Sequence, residues 1–513
     1  MKTLRNSFLI TLLVAVFLKG IVFSIIVPLW EFPDEQAHFG QVQNTVETGQ
    51  LFKKGNNLSE EIYLSELVLD TLRDNRGINK FTYHPDFKHT FSTSLIGPQE
   101  EALASLSVLS RTNFIKTEAT NYPPLFYLLS AAGYILTSPT NLFVRVFATR
   151  MVSVLLSGAF VCLGWKLANL VFPKQKALAL ALALSLAFHP MLSFVSAGIN
   201  NDNLLNLLGL FVVYLAASWI TKGPSVKISL LLLLSSVLGL LTKPLIIPVL
   251  FGFGLVYLHE WFVTRRHFKR QLRLSWPLVA ITALAIAYLL FTFAGTGRIR
   301  YWPSTNAAST TTLFDYLQAQ LPRYYRETLV WYWGVFKWLG VILPLNLVRI
   351  IKVIMAISAF GLVRLFLTNK PIVPKSLVAA FIIITLSYIA LLTLWDFSLV
   401  RSLGFSHGLQ GRYFFPVIGA HLALLVTGFS SAFPKRFLIR AAQFLGVFMI
   451  FSHLVSLYTL AHSYYSLTNL NIFLIQVSQY KPFFLKSPLA LVIILTYLLT
   501  LAVLIKQSLK PKN

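Results

Sequence analysis

The stretch Glu31-Phe-Pro-Asp-Glu-Gln-Ala-His38 follows directly after the first long apolar run of the chain, residues 8–30. Acidic residues are rare in this protein, with 18 Asp and Glu in 513 residues, yet this stretch places three carboxylates and a histidine within eight positions. Ionisable side chains are costly where a membrane span meets water, and they are retained there mostly for function. We therefore interpret the stretch as the catalytic corner of a membrane enzyme.

The composition of the whole chain is that of a membrane protein. Hydrophobic residues make up 56% of it and charged residues 12%, whereas a soluble protein carries about 25% charged residues. The predicted fold is an all-α polytopic membrane protein with about 12 transmembrane helices, since apolar runs of spanning length recur along the chain. A single integral-membrane domain, residues 1–513, is expected. The predicted spans are 7–30, 142–171, 177–198, 203–221, 227–242, 245–262, 275–294, 347–367, 376–395, 411–430, 437–460 and 487–506.

Basic residues are concentrated in short loops that fall on one side of the membrane when the predicted spans alternate. This positive-inside pattern places that side, and both termini, in the cytoplasm. The protein is thus expected in the plasma (inner) membrane of the cell envelope, with the acidic stretch on the outer face. The same pattern explains the net charge of +26, so that no nucleic-acid partner is predicted. The N-terminal apolar run is too long for a signal peptide and is expected to remain as the first span.

Two large loops lie on the outer side of the predicted topology. The first, residues 31–141, contains two helical patterns, Asp34–Thr48 and Gln99–Ser110. The second, residues 295–346, is rich in aromatic and basic residues. Its segment Thr328–Trp338 is typical of an amphipathic helix that lies in the membrane interface, where Trp and Tyr are enriched. Most of the chain outside the spans is therefore expected on the outer face.

The acidic stretch has a pattern suited to acid–base chemistry. Pro33 suits the first turn of a helix, and the helix dipole there favours the negative charges of Asp34 and Glu35. Asp34 and His38 are four residues apart and share one helix face. An ionised carboxylate in this position could accept a proton from a hydroxyl, as a general base does. The same pattern fits an ordinary helix N-terminus, and a divalent cation held by Asp34, Glu35 and His38 is a further alternative.

Other polar residues of the predicted outer face qualify as binding residues. They are Arg145, Arg150, Asn201, Asp202, Lys243, Gln410, Arg412 and Tyr413. Each has an ordinary structural explanation, such as a turn, a helix cap or a cation that reaches the lipid headgroups. Several cations beside a carboxylate nevertheless suit a phosphate-bearing lipid, because arginine binds phosphate through two parallel hydrogen bonds and keeps its charge in apolar surroundings.

The order of these motifs resembles that of the GT-C superfamily of membrane glycosyltransferases. The likeness is to the branch of protein O-mannosyltransferases, aminoarabinose transferases and related uncharacterised bacterial membrane families. The matching segments are Pro33-Asp34-Glu35-Gln-Ala-His38-Phe39, Asn121-Tyr-Pro-Pro-Leu-Phe-Tyr, Phe147-Ala-Thr-Arg150-Met-Val-Ser, His189-Pro190 with Asn200-Asn-Asp202, and Gln410-Gly-Arg412-Tyr413-Phe-Phe-Pro416. The acidic segment is the most specific of them, and their shared order carries most of the likeness.

The resemblance implies transfer of a sugar from a polyprenyl-phosphate carrier to an acceptor on the extracytoplasmic face, with inversion. Asp34 would then be the base that activates the acceptor hydroxyl, and Glu35 and His38 would orient it or bind the sugar. Three cations would hold the phosphate leaving group, where negative charge develops. These cations are Lys243, Arg150 and Arg412. That role requires no metal cofactor.

Three other functions stay open from the sequence, one of which is a non-catalytic scaffold or assembly partner. A transporter or lipid flippase also suits an even number of spans, but it should carry its charges near the bilayer midplane and show matching halves. A polysaccharide polymerase or ligase would use the same lipid carriers, with its large outer loop late in the chain. The sequence assigns neither the sugar nor the acceptor, which is a protein, a lipid or a glycan.

Overall fold

The computed structural model describes residues 2–50, 55–74, 77–89, 93–118, 122–260, 262, 283, 287, 310–404, 406 and 408–509. Within these residues, eight helices are long and apolar enough to cross a membrane. They are Ser7–Ile26, Leu142–Val171, Asp202–Lys222, Leu345–Leu367, Lys375–Ser402, Gly411–Ser431, Lys435–Tyr464 and Leu489–Leu509. Shorter apolar helices are Leu125–Leu136, Lys176–Phe188, Val226–Leu240 and Ile246–His259. The prediction of an all-helical polytopic membrane protein is confirmed at this level.

The predicted spans match these helices in order. Eight of the twelve coincide with the long helices, and the predictions 177–198, 227–242 and 245–262 coincide with shorter ones. The remaining predicted span, 275–294, lies outside the described residues apart from two isolated positions. The apolar runs therefore located the long helices, while three predicted spans correspond to helices shorter than the sequence indicated.

The predicted span 177–198 is broken in two, into Lys176–Phe188 and Pro190–Val195. Proline lacks a backbone N–H and its ring clashes with the preceding turn, so a helix cannot run through it undisturbed. Lys19 of the first helix donates to the carbonyl oxygen of Ala187 at 2.6 Å, just before the break. A buried carbonyl requires a hydrogen-bond partner, and here the first span supplies it.

The first outer loop folds into short helices and a two-stranded sheet. Its helices are Glu35–Thr48, Glu60–Val68, Thr93–Ala104, Val108–Thr112 and Leu125–Leu136. Strands Leu58–Ser59 and Phe114–Lys116 pair antiparallel and join the beginning of the loop to its end. The predicted helix Asp34–Thr48 is confirmed from Glu35 onward. The predicted helix Gln99–Ser110 is instead two helices, separated where two serines favour a turn over the interior of a helix.

The described part of the second outer loop begins at residue 310. It contains the helix Leu313–Arg323, a π-helical turn Tyr324–Thr328, the helix Leu329–Trp333, and the paired strands Val335–Phe336 and Val341–Ile342. The predicted helix Thr328–Trp338 is wrong beyond Trp333. Lys337 and Trp338 have φ values of 51° and 50°, and this left-handed backbone cannot continue a right-handed helix.

Later segments complete the bundle, in which the first helix, Lys2–Ile26, packs against Leu489–Leu509 and Leu142–Val171. The later segments are the helices Leu345–Leu367, Lys375–Leu403, Ile418–Ser431, Leu438–Tyr464, Leu470–Val477 and Leu489–Leu509, with 3₁₀ turns at Gly411–Val417, Lys435–Phe437 and Phe483–Leu485. The helix Asp202–Lys222 packs against both Leu142–Val171 and the turn Gly411–Val417. Segments far apart in sequence thus meet beside the acidic stretch.

Candidate functional site

The turn between the first span and the helix Glu35–Thr48 presents Asp34. Its backbone is left-handed, with φ 58° and ψ 21°, and its side chain does not cap the helix that follows. A left-handed conformation costs a non-glycine residue roughly 1–2 kcal/mol, so the fold must hold it in place. The side-chain amide of Asn200 donates to the carbonyl of Pro33 at 3.0 Å and anchors the turn. The Asp34 carboxylate is therefore free to face other partners.

Two arginines flank the carboxylate of Asp34. Nη2 of Arg412 lies 2.7 Å from Oδ2, and Nη1 of Arg73 lies 3.0 Å from Oδ1. The Asp34 side chain is 37% exposed, whereas those of the arginines are 7% and 8% exposed. Burial alone would raise the pKa of Asp34, but Arg412 and Arg73 hold that pKa well below its usual range. An ionised carboxylate is thus reachable from outside between two buried cations.

Arg73 is a residue of this site that the sequence did not reveal. It follows the helix Glu60–Val68 and forms an ion pair with Glu118, near the end of the same loop. Its guanidinium also lies over the ring of Trp338 from the second outer loop, 5.4 Å from the ring centre. No local pattern marks Arg73, because its partners are distant in sequence. The Arg73 side chain connects both outer loops to Asp34.

Lys243 and Asp202 form a second buried ion pair, with 2.5 Å between Nζ and Oδ1. Lys243 stands in the short connection between Val226–Leu240 and Ile246–His259, and Asp202 begins its own helix. The Lys243 ammonium lies 5.1 Å from the centre of the Tyr122 ring. Oδ2 of Asp202 has no hydrogen-bond partner in the described part of the chain. This pair therefore keeps hydrogen-bonding capacity for a further group.

His38 lies near both Asp34 and the Lys243–Asp202 pair: it follows Asp34 by one helical turn, and its ring lies 5.9 Å from that of Tyr122, which the Lys243 ammonium also faces. Its Nδ1 is 3.0 Å from the hydroxyl of Tyr127. Burial lowers the pKa of His38 to about 4, and nearby charges modify this effect. The charges that act on it belong to Asp34, Lys243, Asp202 and Arg412. The imidazole is thus neutral near pH 7. Tyr122, which both His38 and Lys243 contact, links Asp34 and its arginines to the Lys243–Asp202 pair in one site.

The turn Gly411–Val417 positions Arg412 by close backbone contact. A Cβ atom at Gly411 would lie 2.0 Å from the backbone nitrogen of Tyr332, so only glycine fits there. Oε1 of Gln410 accepts from Nε of Arg412 at 2.9 Å, and the guanidinium stacks 5.5 Å from the centre of the Tyr413 ring. Nη1 of Arg412 is buried without a partner among the described residues. One edge of this guanidinium is consequently available for an anion.

Glu35 and Arg150 lie next to the site but face away from it. They bond to each other, with Glu35 fully buried and the Arg150 side chain 4% exposed. The amide of Ile199 also points at the Glu35 carboxylate, at 3.4 Å. The structure therefore brings these two predicted residues together as a pair that supports the Asp34 turn. Their predicted roles in acid–base chemistry and phosphate binding stay predictions.

Arg145 has partners outside this arrangement. It forms an ion pair with Glu61 and donates to the hydroxyl of Tyr134 at 3.0 Å. Asn201 is buried beside Asp202, and neither polar atom of its side chain has a partner within the described ranges. The structure thus collects Asp34, His38, Asp202, Lys243, Gln410, Arg412 and Tyr413 in one place and leaves Arg145 in a separate buried network.

The three residues considered for a divalent cation turn to different partners. Asp34 faces the two arginines, Glu35 faces Arg150, and His38 faces Tyr127. Across the described residues, no group of three or more His, Cys, Asp or Glu side chains is placed to hold a metal ion.

An apolar cavity of about 400 Å³ adjoins the Arg412 turn. It lies between the helices Leu345–Leu367, Lys375–Leu403 and Ile418–Ser431. Its wall includes Tyr332, Met355, Leu362, Ile389, Phe414 and Leu425. Phe414 belongs to the same turn as Arg412, so the cavity reaches the turn that carries this arginine.

Comparisons with known proteins give one family and one structural likeness. The family described as "Predicted membrane protein (DUF2142)" matches residues 17–420. Crystal structures of ArnT from Cupriavidus metallidurans resemble the fold with 14% sequence identity, covering 97% of this chain and 77% of ArnT. The TM-score is 0.45 for the apo state and 0.42 for the state bound to undecaprenyl phosphate.

At this identity and TM-score the likeness gives no residue of the present chain a role. No curated protein matches the sequence.

Proposed function

Because the chain belongs to the DUF2142 family of predicted membrane proteins, we propose a function from the chemistry of its own site: it is a glycosyltransferase that moves a sugar from a polyprenyl-phosphate carrier to an acceptor. The observation that carries the proposal is the accessible, ionised carboxylate of Asp34 bonded to Arg412 and Arg73. A third cation, Lys243, lies in the same site. This combination offers a base beside groups that bind phosphate.

In the proposed reaction, Asp34 takes the proton of an acceptor hydroxyl as its oxygen attacks the anomeric carbon of the sugar. The new carbon–oxygen bond forms as the bond from that carbon to the carrier phosphate breaks. The phosphate leaves with the electron pair, and attack from the opposite face inverts the anomeric configuration. A base must lie within hydrogen-bond reach of the proton it accepts, and the exposure of Asp34 supports that access.

The leaving phosphate gains negative charge, which fixed cations stabilise. Arg412 supports this role because its Nη1 is buried and unbonded among the described residues. Lys243 supports it because, among the described residues, a single carboxylate, that of Asp202, forms an ion pair with it. Buried arginine and lysine side chains in a water-poor site interact more strongly with an anion than they would in solution.

The apolar cavity beside the Arg412 turn suits the hydrocarbon part of such a donor. Its walls include residues of the long apolar helices, and Phe414, two residues from Arg412, lines it. Apolar pockets with a few polar groups at one end are typical of ligands that are apolar at one end and charged at the other. A polyprenyl chain in the cavity would place its phosphate near Arg412.

Glu35, Arg150 and Arg145 take supporting roles in this proposal. The Glu35–Arg150 pair holds the turn that presents Asp34, and Arg145 stabilises the first outer loop through Glu61. The basic loops support a topology with the termini in the cytoplasm and the site on the outer face of the plasma membrane. The described parts of the two outer loops would then lie on the acceptor side of the site.

The proposal is tested by incubating the purified protein with a panel of polyprenyl-phosphate sugars and following release of carrier phosphate. The wild type should consume at least one donor, and Asp34→Asn should lose this activity by a factor of about 10² or more, the usual contribution of a general base. Donor consumption that is equal in both proteins would remove Asp34 as the base. Movement of intact donor across vesicles without cleavage would indicate a flippase instead.

A further inference from the structure

Arg73 and Arg412 bind the same carboxylate but differ in how their charges are balanced. Arg73 bonds to two carboxylates, Asp34 and Glu118, and packs on the ring of Trp338. Arg412 bonds to a single carboxylate, Asp34, and its other contact is the neutral amide of Gln410. Each guanidinium has one buried nitrogen without a partner among the described residues, Nη1 in Arg412 and Nε in Arg73, but only Arg73 keeps a second carboxylate if Asp34 moves away. Arg412 is therefore the arginine from which Asp34 can be displaced.

A phosphate bound by arginine in two-point geometry uses two guanidinium nitrogens at once. In Arg412, Nη1 is vacant and Nη2 is bonded to Oδ2 of Asp34 at 2.7 Å. A phosphate oxygen on Nη2 would occupy the place of this carboxylate oxygen. Two anions so close repel each other, by at least about 1 kcal/mol at 4 Å even in bulk water.

We propose that Asp34 occupies the phosphate position on Arg412 in the ligand-free protein, and that the incoming carrier phosphate displaces it. This inference rests on the proposed function and adds an order of events to it. Asp34 stays bonded to Arg73 through Oδ1, so it is not lost from the site. Its Oδ2 is released and becomes the atom that accepts the acceptor proton.

The displacement couples donor binding to activation of the base. A carboxylate held by two cations is a weak base, because both cations favour its ionised form. After displacement, one cation contact is lost and a phosphate anion lies nearby, and both changes make Asp34 more basic. An acceptor that arrives before the donor meets a base bonded to two arginines. The site therefore favours the order donor first, acceptor second.

The test measures binding of polyprenyl monophosphate to wild type and Asp34→Asn through tryptophan fluorescence in detergent. The amide keeps the shape of the side chain but removes the competing charge. Asp34→Asn should bind the carrier at least about fivefold more tightly than the wild type, the factor that corresponds to about 1 kcal/mol. Inorganic phosphate, used to displace the bound carrier, should also bind Asp34→Asn more tightly than the wild type, because the competition concerns the phosphate group.

Two controls separate this effect from general changes. The exposed Glu101→Gln removes one negative charge elsewhere on the first outer loop and should leave affinity unchanged. Polyprenol without phosphate should bind wild type and Asp34→Asn equally. Asp34→Ala replaces the amide variant if that variant does not fold, and it too should bind the carrier more tightly.

The outcomes distinguish the inference from the proposed function. If the wild type binds the carrier but neither Asp34 variant binds it more tightly, Asp34 does not compete for Arg412 and the inference is overturned while the enzyme proposal stands. An equal gain for polyprenol would overturn it as well. If the wild type neither binds carrier nor consumes any donor, both proposals fail.

Discussion

Arg150 donates two hydrogen bonds to the carboxylate of Glu35, with Nε 2.8 Å from Oε1 and Nη2 2.6 Å from Oε2. The pair lies one residue from Asp34, inside the protein. Breaking a buried ion pair by removing one partner leaves an uncompensated charge, which typically costs about 3–5 kcal/mol. The left-handed backbone of Asp34 therefore depends on the buried ion pair between Glu35 and Arg150.

Removal of the arginine tests this dependence. We expect Arg150→Met to lower the free energy of unfolding by about 3–5 kcal/mol, measured by denaturation in detergent. The double variant with Glu35→Gln should recover part of the loss, because no buried charge is left alone. Glu100→Gln is the matched control, since its partner Lys486 is partly exposed and such pairs contribute about 0–1 kcal/mol. Equal effects of Arg150→Met and Glu100→Gln would contradict the supporting role.

Glu66 gives the stability of the first outer loop a predictable pH dependence. Burial, with an added contribution from the charge of Glu118, raises the pKa of Glu66 to about 8. Between the ordinary pKa of a glutamate and this value, the folded protein binds a proton that the unfolded chain has released, so stability falls as pH rises through that window. The amide of Glu66→Gln does not titrate, so the thermal stability of this variant relative to the wild type should increase as the pH rises from 5 to 8.

The measurement compares the melting temperatures of wild type and Glu66→Gln at several pH values. The exposed Glu101→Gln serves as the acid-to-amide control. A difference between wild type and Glu66→Gln that stays constant from pH 5 to pH 8 would show that Glu66 ionises normally in the folded state.

His38 should not titrate in the range where histidines usually do. Its burial lowers its pKa to about 4, so the imidazole is neutral throughout pH 5–8. We expect kcat/KM for donor consumption to show no step near pH 6.5 that depends on this residue. The check is a pH–rate profile of wild type and His38→Gln. A step near pH 6.5 in the wild type that disappears in His38→Gln would place a charged histidine in the reaction.

The sequence located most of the membrane segments because their apolar runs are long enough to be recognised without tertiary information. The span 177–198 is instructive, since the proline at position 190 already marked the place where the structure breaks it. The error beyond Trp333 has a different cause. The aromatic pattern continues to Trp338, but the hairpin that ends the helix depends on pairing between two short strands.

The site could be predicted only in part for a similar reason. Asp34, Lys243 and Arg412 stand in recognisable motifs, but which cation pairs with which carboxylate is decided by the packing of distant segments. Arg73 has no motif of its own, and its partners Asp34 and Glu118 lie 39 and 45 positions away. Glu35 and Asp34 are neighbours in sequence, yet one is enclosed and the other accessible. The left-handed backbone at Asp34 accounts for this difference in exposure between the two neighbouring side chains.

Gly411 connects the backbone of the Arg412 turn to carrier binding. A methyl group at this position would lie 2.0 Å from the backbone nitrogen of Tyr332, and backbone atoms cannot move aside as a flexible side chain can. Gly411→Ala must therefore shift the turn and move Arg412 relative to Asp34. We expect the affinity for polyprenyl monophosphate to fall about tenfold, as expected when a charge-assisted hydrogen bond worth about 1.5–3 kcal/mol is impaired.

Gly158→Ala is the matched control for this change. Gly158 lies in the spanning helix Leu142–Val171, and a Cβ atom there would meet nothing within 4 Å. This variant should keep carrier affinity, and its stability should rise slightly, because alanine favours a helix by about 1 kcal/mol over glycine. Equal carrier affinity in Gly411→Ala, Gly158→Ala and wild type would mean that the position of Arg412 does not limit phosphate binding. A loss confined to Gly411→Ala would instead tie binding to the fit between this turn and Tyr332, because both variants add the same methyl group.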